Sequence, residues 1–514
     1  MREIAPEFQP YAWAMPTDEV ARLAGIDPSQ VLRFDQNTPP LPVASTRPGT
    51  IAGALARVSG YPAGGYRTLR RAIADYAGVE SENVVLGAGA DDLILLCARV
   101  FAGPGDTIAI PASPTYPLFR IAAQLAGAQV TDCYKEGAAP ALTFACRPNN
   151  PTGELGSLPD ARPLVVDEAY FEYSGVTALD LTDDGVIVLR TFSKLFGLAG
   201  ARIGYALASR ETAAELNARQ APAPVSTLSS ALALAALAER PDAAPVIAER
   251  ERLASALRTL GLEPLPSSAN FLYVPVEDGL ALDESLLRQG IVVRAYPGAI
   301  RVSVLDAPDD DLLVEALARA LDRPSPVAAA GGRRSRTLRA TAETRLAVRL
   351  SLDGASRVRV ATGAGLYDHF LEQLAFHAGF DLVLEGTGDL ETGDHHTAED
   401  AALALGAALD RALGDRRGIA RYGDAVVPMD DALARAAVDL GGRANAELRL
   451  ELDPGLATHM LASLAQAARA SINVEATGRD AHHVAEAAFK AVGRALRAAV
   501  RAEGAGLPST KGLL

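Results

Sequence analysis

Histidine is missing from the first 368 residues of this 514-residue chain, and all seven histidines (His369, His377, His395, His396, His459, His482, His483) fall in the last 146. Whatever the second half does, histidine carries it. Cysteine is scarce as well. Cys97, Cys133 and Cys146 are scattered, too few and too far apart for a disulfide framework or a thiolate metal site, and are expected as small buried hydrophobes. Long apolar runs are lacking: stretches such as Ala231 to Ala238 are short, Ala-rich and bounded by charge, well below the roughly 20 residues of a membrane span. The first residues place Glu3, Pro6 and Glu7 close to Met1 and lack the basic start and apolar stretch of a secretory signal, so a cytoplasmic protein is expected. A surplus of positive charge is also absent. The net charge of −14 argues against nucleic acid as a partner and leaves small anionic substrates open.

What is present divides in two. Between Thr50 and Leu321, short β-branched runs (Val84 to Leu86, Thr107 to Ile110, Leu164 to Val166, Val186 to Leu189) alternate with longer Ala-, Leu- and Arg-rich stretches of helical character. That rhythm predicts an α/β domain with a mostly parallel sheet over residues 1–322. Residues 323–335, Pro-, Gly- and Arg-rich without a periodicity that buries a face, read as a linker. Beyond it, residues 336–514 show an α+β rhythm in which Asp394-His-His-Thr-Ala-Glu399 is echoed 87 residues later by Ala481-His-His-Val-Ala-Glu486. Two copies of one half-domain are expected.

In the first half, Thr191-Phe-Ser-Lys-Leu-Phe-Gly-Leu-Ala-Gly-Ala-Arg202 follows a strand and sets Lys194 in an apolar context. A lysine shielded from water loses its proton more easily and can form a Schiff base, while Ser193 and Arg202 can hold a phosphate. Upstream, Val165-Val-Asp-Glu-Ala-Tyr170 ends a strand with an acid able to keep a pyridine nitrogen protonated, and Asn149-Asn-Pro-Thr-Gly153 makes a tight turn. Gly87-Ala-Gly-Ala-Asp91 joins a strand to a helix whose first amides can cradle a phosphate. Each piece alone has a blander reading, as a surface Ser-Lys pair, a solvated strand end or an ordinary turn. Their joint order resembles the fold-type I aminotransferases that use pyridoxal 5'-phosphate, and within them histidinol-phosphate aminotransferase. The resemblance implies that Lys194 is the Schiff-base lysine, that Asp167 meets the pyridine nitrogen, that Asn150 and Tyr170 meet the ring oxygen, and that Tyr116 stacks on the ring. It further implies that Ala90, Asp91, Ser193 and Arg202 hold the cofactor phosphate with Tyr61 of a partner subunit, and that Arg301, with Arg294 nearby, takes the substrate's charged tail. About ten residues separate Gly153 from Leu164, where this family usually has a further helix and strand. A threonine-phosphate-type decarboxylase on the same fold, or a non-catalytic scaffold, are the alternatives for this half.

In the second half, Glu399 lies four residues after His395 and three after His396, so on a helix it shares an edge with each. Adjacent histidines point about 100° apart, so one helix would address two metal ions. His482, His483 and Glu486 repeat the pattern, and His369 and His459 bring the set to six histidines and two glutamates. That is enough for three histidines and one glutamate at each of two ions. Nitrogen and oxygen donors without thiolate argue for Lewis-acid chemistry rather than a structural zinc, and leave the metal open.

Around these donors the words Arg339-Ala-Thr-Ala-Glu-Thr344, Asp368-His-Phe-Leu-Glu-Gln-Leu-Ala-Phe-His377, Gly418-Ile-Ala-Arg-Tyr-Gly423, Pro428-Met-Asp430 and Pro508-Ser-Thr-Lys-Gly512 resemble imidazoleglycerol-phosphate dehydratase. The resemblance implies two Mn2+ ions per site, metal sites formed between subunits of a cage-like homo-oligomer, and the eight residues above as ligands. It also implies substrate contacts from Glu343, His377, Arg421, Arg443, Lys490, Ser509, Thr510 and Lys511, with Glu343 as the catalytic base. Asp431 stands where that family has a glutamate. A metal-storing or structural assembly is the alternative. Read together, the halves imply consecutive steps on phosphorylated imidazole substrates, with glutamate as amino donor and 2-oxoglutarate as its product.

Overall fold

In a computed structural model, the chain forms two compact units, Met1–Val327 and Ala328–Leu514. The structure describes residues 8, 10, 11, 13–26, 28–39, 53–132, 139–327, 333–354, 356–504 and 506–508. Cys133 lies outside them; Cys97 and Cys146 are buried and unpaired, as expected.

The first unit carries strands β1 (Leu32–Arg33), β2 (Val84–Gly87), β3 (Thr107–Ala109), β4 (Gln129–Thr131), β5 (Leu142–Cys146), β6 (Leu164–Asp167), β7 (Val186–Thr191) and β8 (Gly204–Leu207). They are followed by β9 (Phe271–Pro275), β10 (Ile291–Val292), β11 (Arg294–Tyr296) and β12 (Ala299–Ser303). Seven of them form one sheet in the order β2-β8-β7-β6-β5-β3-β4. β8 is antiparallel to both neighbours, and the other pairings are parallel. Strands buried on both faces need apolar residues at successive positions. Val85, Val165, Ile187 and Leu189 accordingly pack into one core with the helices Ala90–Phe101 and Leu118–Ala126, while Val84, Leu164, Val166, Val186 and Val188 pack into another with Arg67–Ala77 and Thr227–Glu239. The short connection from Gly153 to Leu164 does not interrupt the sheet, because β5 pairs directly with β6. A smaller sheet, β11-β12-β9, and the parallel pair β1-β10 share a third core with the helices Ala244–Thr259 and Ala307–Ala320.

The second unit repeats itself. β13 (Arg334–Ala340), β14 (Thr344–Ser351), β15 (Val358–Ala361) and β16 (Asp381–Gly388) form a sheet in the order β13-β14-β16-β15. β17 (Tyr422–Met429), β18 (Ala432–Asp439), β19 (Asn445–Leu450) and β20 (Ser471–Thr477) form another in the equivalent order β17-β18-β20-β19. In each half one helix (Gly365–Ala378 or Ala457–Ala467) links the two parallel strands, and a 19-residue helix (His395–Leu413 or Ala481–Ala499) follows the last strand. The halves share one core.

Glycine sets how closely the helices cross. A Cβ on Gly493 would fall 2.4 Å from the Leu374 carbonyl oxygen, and one on Gly406 would fall 2.6 Å from that of Leu464. The offsets repeat: each glycine follows the first histidine of its doublet by eleven residues, and each leucine follows His369 or His459 by five. Each crossing therefore pairs a helix from one half with a helix from the other. No helix among the described residues is long and apolar enough to cross a membrane.

Candidate functional site

The candidate site of the first unit lies past the ends of its parallel strands, where a doubly wound sheet leaves a crevice. β6 ends at Asp167, β7 ends three residues before Lys194, and β2 ends just before the helix Ala90–Phe101. Asp167 is buried, accepts a hydrogen bond from the Ala169 N–H at 3.1 Å, and is pushed up to about 7 by loss of solvent. Lys194 moves the other way: burial, then the positive charge of Arg301, pulls its ammonium down to about 8. Its Nζ donates to the Gln36 carbonyl at 3.4 Å and lies 5.5 Å from the centre of the Tyr170 ring. A lysine so tuned is a nucleophile near neutrality, and an acid so tuned can share a proton with a ring nitrogen.

Asp91, in the first turn of Ala90–Phe101, accepts from the Tyr116 hydroxyl and from Arg202 Nη2, each at 2.9 Å. Burial, then the Asp91 charge, raises the Tyr116 phenol. Gly89 sits at φ +88°, which disfavours any side chain, and a Cβ there would press on the Arg202 guanidinium at 2.8 Å. Because the Asp91 carboxylate is taken up by Tyr116 and Arg202, an anion would meet Ala90 and Asp91 through the free N–H groups of the first helical turn. Ser193 Oγ accepts from Thr191 at 2.9 Å, which leaves its own proton for a ligand.

Arg301 is 7% exposed; it donates to Asn150 Oδ1 and to the Asp35 carbonyl, each at 2.6 Å, and its Nε has no partner. Arg294 stands directly opposite in the β11–β12 hairpin. Tyr170 is buried and accepts from Asn37 Nδ2 at 3.0 Å. Tyr61 is 92% exposed and makes none of these contacts. Lys194, Tyr170 and Arg301, the last also bound to Asn150, thus meet around a strap, Asp35 to Asn37, that sequence reasoning did not place in the site. Its signal was the segment Phe34-Asp-Gln-Asn-Thr-Pro39, whose Asn37 takes φ 53°. A preformed phosphate turn, a buried acid and an unpartnered guanidinium nitrogen fit a phosphorylated pyridine aldehyde.

In the second unit the donors gather in threes, each drawn from both halves. His369, His482 and Glu486 form one cluster and His395, Glu399 and His459 the other, with ligand atoms all within 4.8 Å in each. Glu486 lies 3.6 Å from His369 Nε2 and 3.4 Å from His482 Nε2. Glu399 lies 3.6 Å from His395 Nε2 and 3.4 Å from His459 Nε2. The His369 and His482 rings are stacked within 7° of parallel at 5.7 Å. His459 Nε2 is buried yet has no hydrogen bond, an orphan that a cation would satisfy. Burial alone would raise the Glu486 carboxyl, but the Lys490 bond at 2.8 Å, the Lys490 charge and the two imidazoles hold it below its usual value. This set suits a divalent cation.

His396 and His483 stay outside both clusters. The His395 and His396 rings are 89° apart. His396 Nδ1 donates to Asp389 at 3.1 Å and lies 3.7 Å from Glu343; His483 Nδ1 donates to Asp431 at 2.6 Å. These acids raise both imidazoles above their usual value. Asp389 and Asp431 were not among the expected site residues, although Asp389 lies inside the segment Gly388–Asp400, which also resembles the dehydratases, and Asp431 directly follows Pro428-Met-Asp430.

Asp400, next to Glu399 on its helix, pairs with Arg339 at 2.6 Å and accepts from Thr344 at 2.5 Å, and so fastens the turn that carries Glu343. His377 is lowered by burial and then by Lys490, which also touches Met429 Sδ at 3.2 Å. Arg421 is held by Asp439 at 2.7 Å and donates to the Pro508 carbonyl at 2.9 Å. Arg443 is exposed. Ser509, Thr510 and Lys511 lie outside the described residues.

Comparison with known proteins matches both units. The family model "Aminotransferase class I and II" matches residues 29–318 and "Imidazoleglycerol-phosphate dehydratase" matches 362–496. The dehydratase of Methanothermobacter thermautotrophicus is 49% identical over 190 residues, 35% of this chain and 98% of that protein. The one from Phytophthora nicotianae is 47% identical over 212 residues, 39% of this chain, and the chain spans 47% of its length. The solved structure of histidinol-phosphate aminotransferase from Sinorhizobium meliloti, in complex with pyridoxal-5'-phosphate, is 25% identical with a TM-score of 0.54, covering 62% of this chain and 98% of that one.

Proposed function

Since the chain belongs both to the class I and II aminotransferases and to the imidazoleglycerol-phosphate dehydratases, we propose that it carries out two consecutive steps of histidine biosynthesis. The second unit dehydrates imidazole glycerol phosphate to imidazole acetol phosphate. The first transfers an amino group from glutamate to that ketone, giving histidinol phosphate and 2-oxoglutarate. The observation that carries the reading is the presence, on one chain, of a Lys194–Asp167 pair tuned toward neutrality and two His-His-Glu clusters.

In the first unit pyridoxal phosphate, when bound, supplies an electron sink for the bonds around the amino carbon. Lys194 supplies its neutral amine and later moves the proton at that carbon. Asp167 holds the proton at the ring nitrogen, Asn150 and Tyr170 hold the ring oxygen, and Tyr116 covers the ring. Ala90 and Asp91 (through backbone N–H), Ser193, Arg202 and Tyr61 of a partner copy hold the phosphate, and Arg301 with Arg294 anchors the substrate's anionic tail.

In the second unit we assign His369, His395, His396, Glu399, His459, His482, His483 and Glu486 as ligands of two Mn2+ ions. His396 and His483 of one copy complete sites on another, which makes the protein a homo-oligomer. Bound cations supply Lewis acidity that makes the substrate imidazole more acidic. Glu343 takes the side-chain proton and passes it to the departing hydroxide, which leaves as water, and Lys490, Arg421, Arg443, His377 and the tail residues Ser509, Thr510 and Lys511 orient the phosphate. A cytoplasmic setting belongs to the same proposal.

The test is a coupled assay from imidazole glycerol phosphate and glutamate, with and without chelator. Histidinol phosphate and 2-oxoglutarate in its absence support both steps. Carbon dioxide release from an amino acid phosphate without transfer would remove the first assignment, and dehydration that survives full chelation would remove the metal mechanism.

A further inference from the structure

The eight ligand residues do not stand alone: two carboxylates hold the two histidines that neither cluster includes. Asp389 opens the loop after β16 and meets His396 Nδ1 at 3.1 and 3.3 Å through its two oxygens. Asp431, in the turn between β17 and β18, meets His483 Nδ1 at 2.6 Å through Oδ1. A carboxylate can only accept, so each places the ring proton on Nδ1 and turns the Nε2 lone pair toward a cation, with Asp430 3.6 Å from the Nε2 of His483. It also fixes the ring plane.

The two acids are held differently. The second oxygen of Asp431 accepts the backbone N–H groups of Arg479 at 2.6 Å and Asp480 at 3.1 Å, and the Asp480 carboxylate in turn caps the N–H groups of His482 and His483. The Asp431 carboxylate is thereby clamped to the start of the helix whose histidine it orients. Asp389 has a looser setting: Thr392 donates to it at 3.0 Å, and its backbone N–H reaches the Glu343 carbonyl at 3.1 Å. The Glu343 carboxylate, 3.7 Å from the same Nδ1, competes with it for His396. Asp394, the residue before His395, makes no side-chain cap on its helix. Each histidine has a second acid near it, Asp430 at 3.6 Å from His483 Nε2 and Glu343 at 3.7 Å from His396 Nδ1, but only Asp431 is clamped to the start of the helix whose histidine it orients.

We propose that Asp389 and Asp431 are positioning residues that set the tautomer and aim of His396 and His483 as metal donors, and that the two metal sites are therefore unequal, the one completed by His483 being the more rigid. The inference rests on the metal assignment above.

Its test uses Mn2+ alone, titrated into the full-length chain after chelator stripping, with free ion read by electron paramagnetic resonance. Asp431→Ala is expected to weaken binding by about 10- to 100-fold at one class of site, with the far-ultraviolet circular dichroism kept. Asp389→Ala weakens binding less, and Asp431→Glu, which keeps a carboxylate, recovers most of the loss. Wild-type affinity in both alanine variants overturns the positioning role and leaves the metal assignment standing. Equal loss in Asp431→Ala and Asp431→Glu overturns it too, and a larger loss in Asp389→Ala than in Asp431→Ala overturns the inequality. A wild-type chain that binds no Mn2+ removes the metal assignment itself.

Discussion

The two sites of this chain are built by opposite means. In the first unit, Asp35, Asp91, Asn150, Asp167, Lys194 and Arg301 come from six separate segments with no shared period, and burial is the leading cause of the shifts at Asp167 and Lys194. In the second unit the donors come from four helices at repeated spacings; their rings are half-exposed, and bonded acids are the leading cause of the shifts at His396 and His483. A site made by burial depends on the whole fold around it, whereas one made by helix geometry depends on how closely two helices cross.

The strongest way to break this comparison is to disable each site and read the other. Lys194→Ala is expected to lower transamination by about a hundred- to ten-thousandfold, to remove the cofactor's bound absorbance, and to leave dehydration unchanged. Glu486→Gln or chelation should do the reverse. Loss of both activities in Lys194→Ala would mean that the sites are not independent.

Arg301→Lys comes next. Lysine cannot span Asn150 and the Asp35 carbonyl, which the guanidinium reaches at 2.6 Å each. Losing a charged hydrogen bond costs about 1.5–3 kcal/mol, so the KM for the phosphorylated ketone should rise by about ten- to a hundredfold. Steady-state kinetics with the dehydratase as an internal control would check it.

A smaller effect, on stability, tests the helix crossings. Gly493→Ala puts a Cβ 2.4 Å from a backbone oxygen that cannot yield without moving the helix Gly365–Ala378, at a cost of about 1–3 kcal/mol. Gly365→Ala, where a Cβ meets nothing within 4 Å, should be neutral to within about 0.5 kcal/mol. Thermal melts of both variants decide it, and equal melts would show that the crossing has slack.

The same contrast governs what the sequence made legible. The strands of the first unit could be read because Val84–Gly87, Leu164–Asp167 and Val186–Thr191 must feed two cores at once and so are apolar at successive positions. The duplication and the His-His-x-x-Glu edges were legible because helical periodicity writes spatial neighbours three and four residues apart. Asp35 to Asn37 were not, since contacts between residue 37 and residues 170 or 303 have no local period and the segment supplies backbone carbonyls, which carry no sequence signature. Asp389 and Asp431 escaped for a related reason: they sit in loops, where nothing in the spacing links Asp431 to His483, 52 positions away.

The finest distinction is one of pH. Capture of an aldehyde cofactor needs the lysine as a free amine, and burial with the Arg301 charge brings Lys194 down to about 8. Its neutral fraction therefore rises with pH through about 8 instead of near the ordinary lysine value, and the rate at which the cofactor-free chain takes up pyridoxal phosphate should rise with the same midpoint. Arg301→Gln removes one of the two leading causes, so the midpoint should move upward, toward the ordinary value, while remaining below it because burial is the larger cause. Stopped-flow absorbance from pH 6 to 10 reads both. A midpoint unchanged in Arg301→Gln would show that burial alone tunes this lysine. A midpoint above 10 in the unaltered chain would show that Lys194 is solvated, and the contrast between a site made by burial and one made by helix spacing would fail at its most important residue.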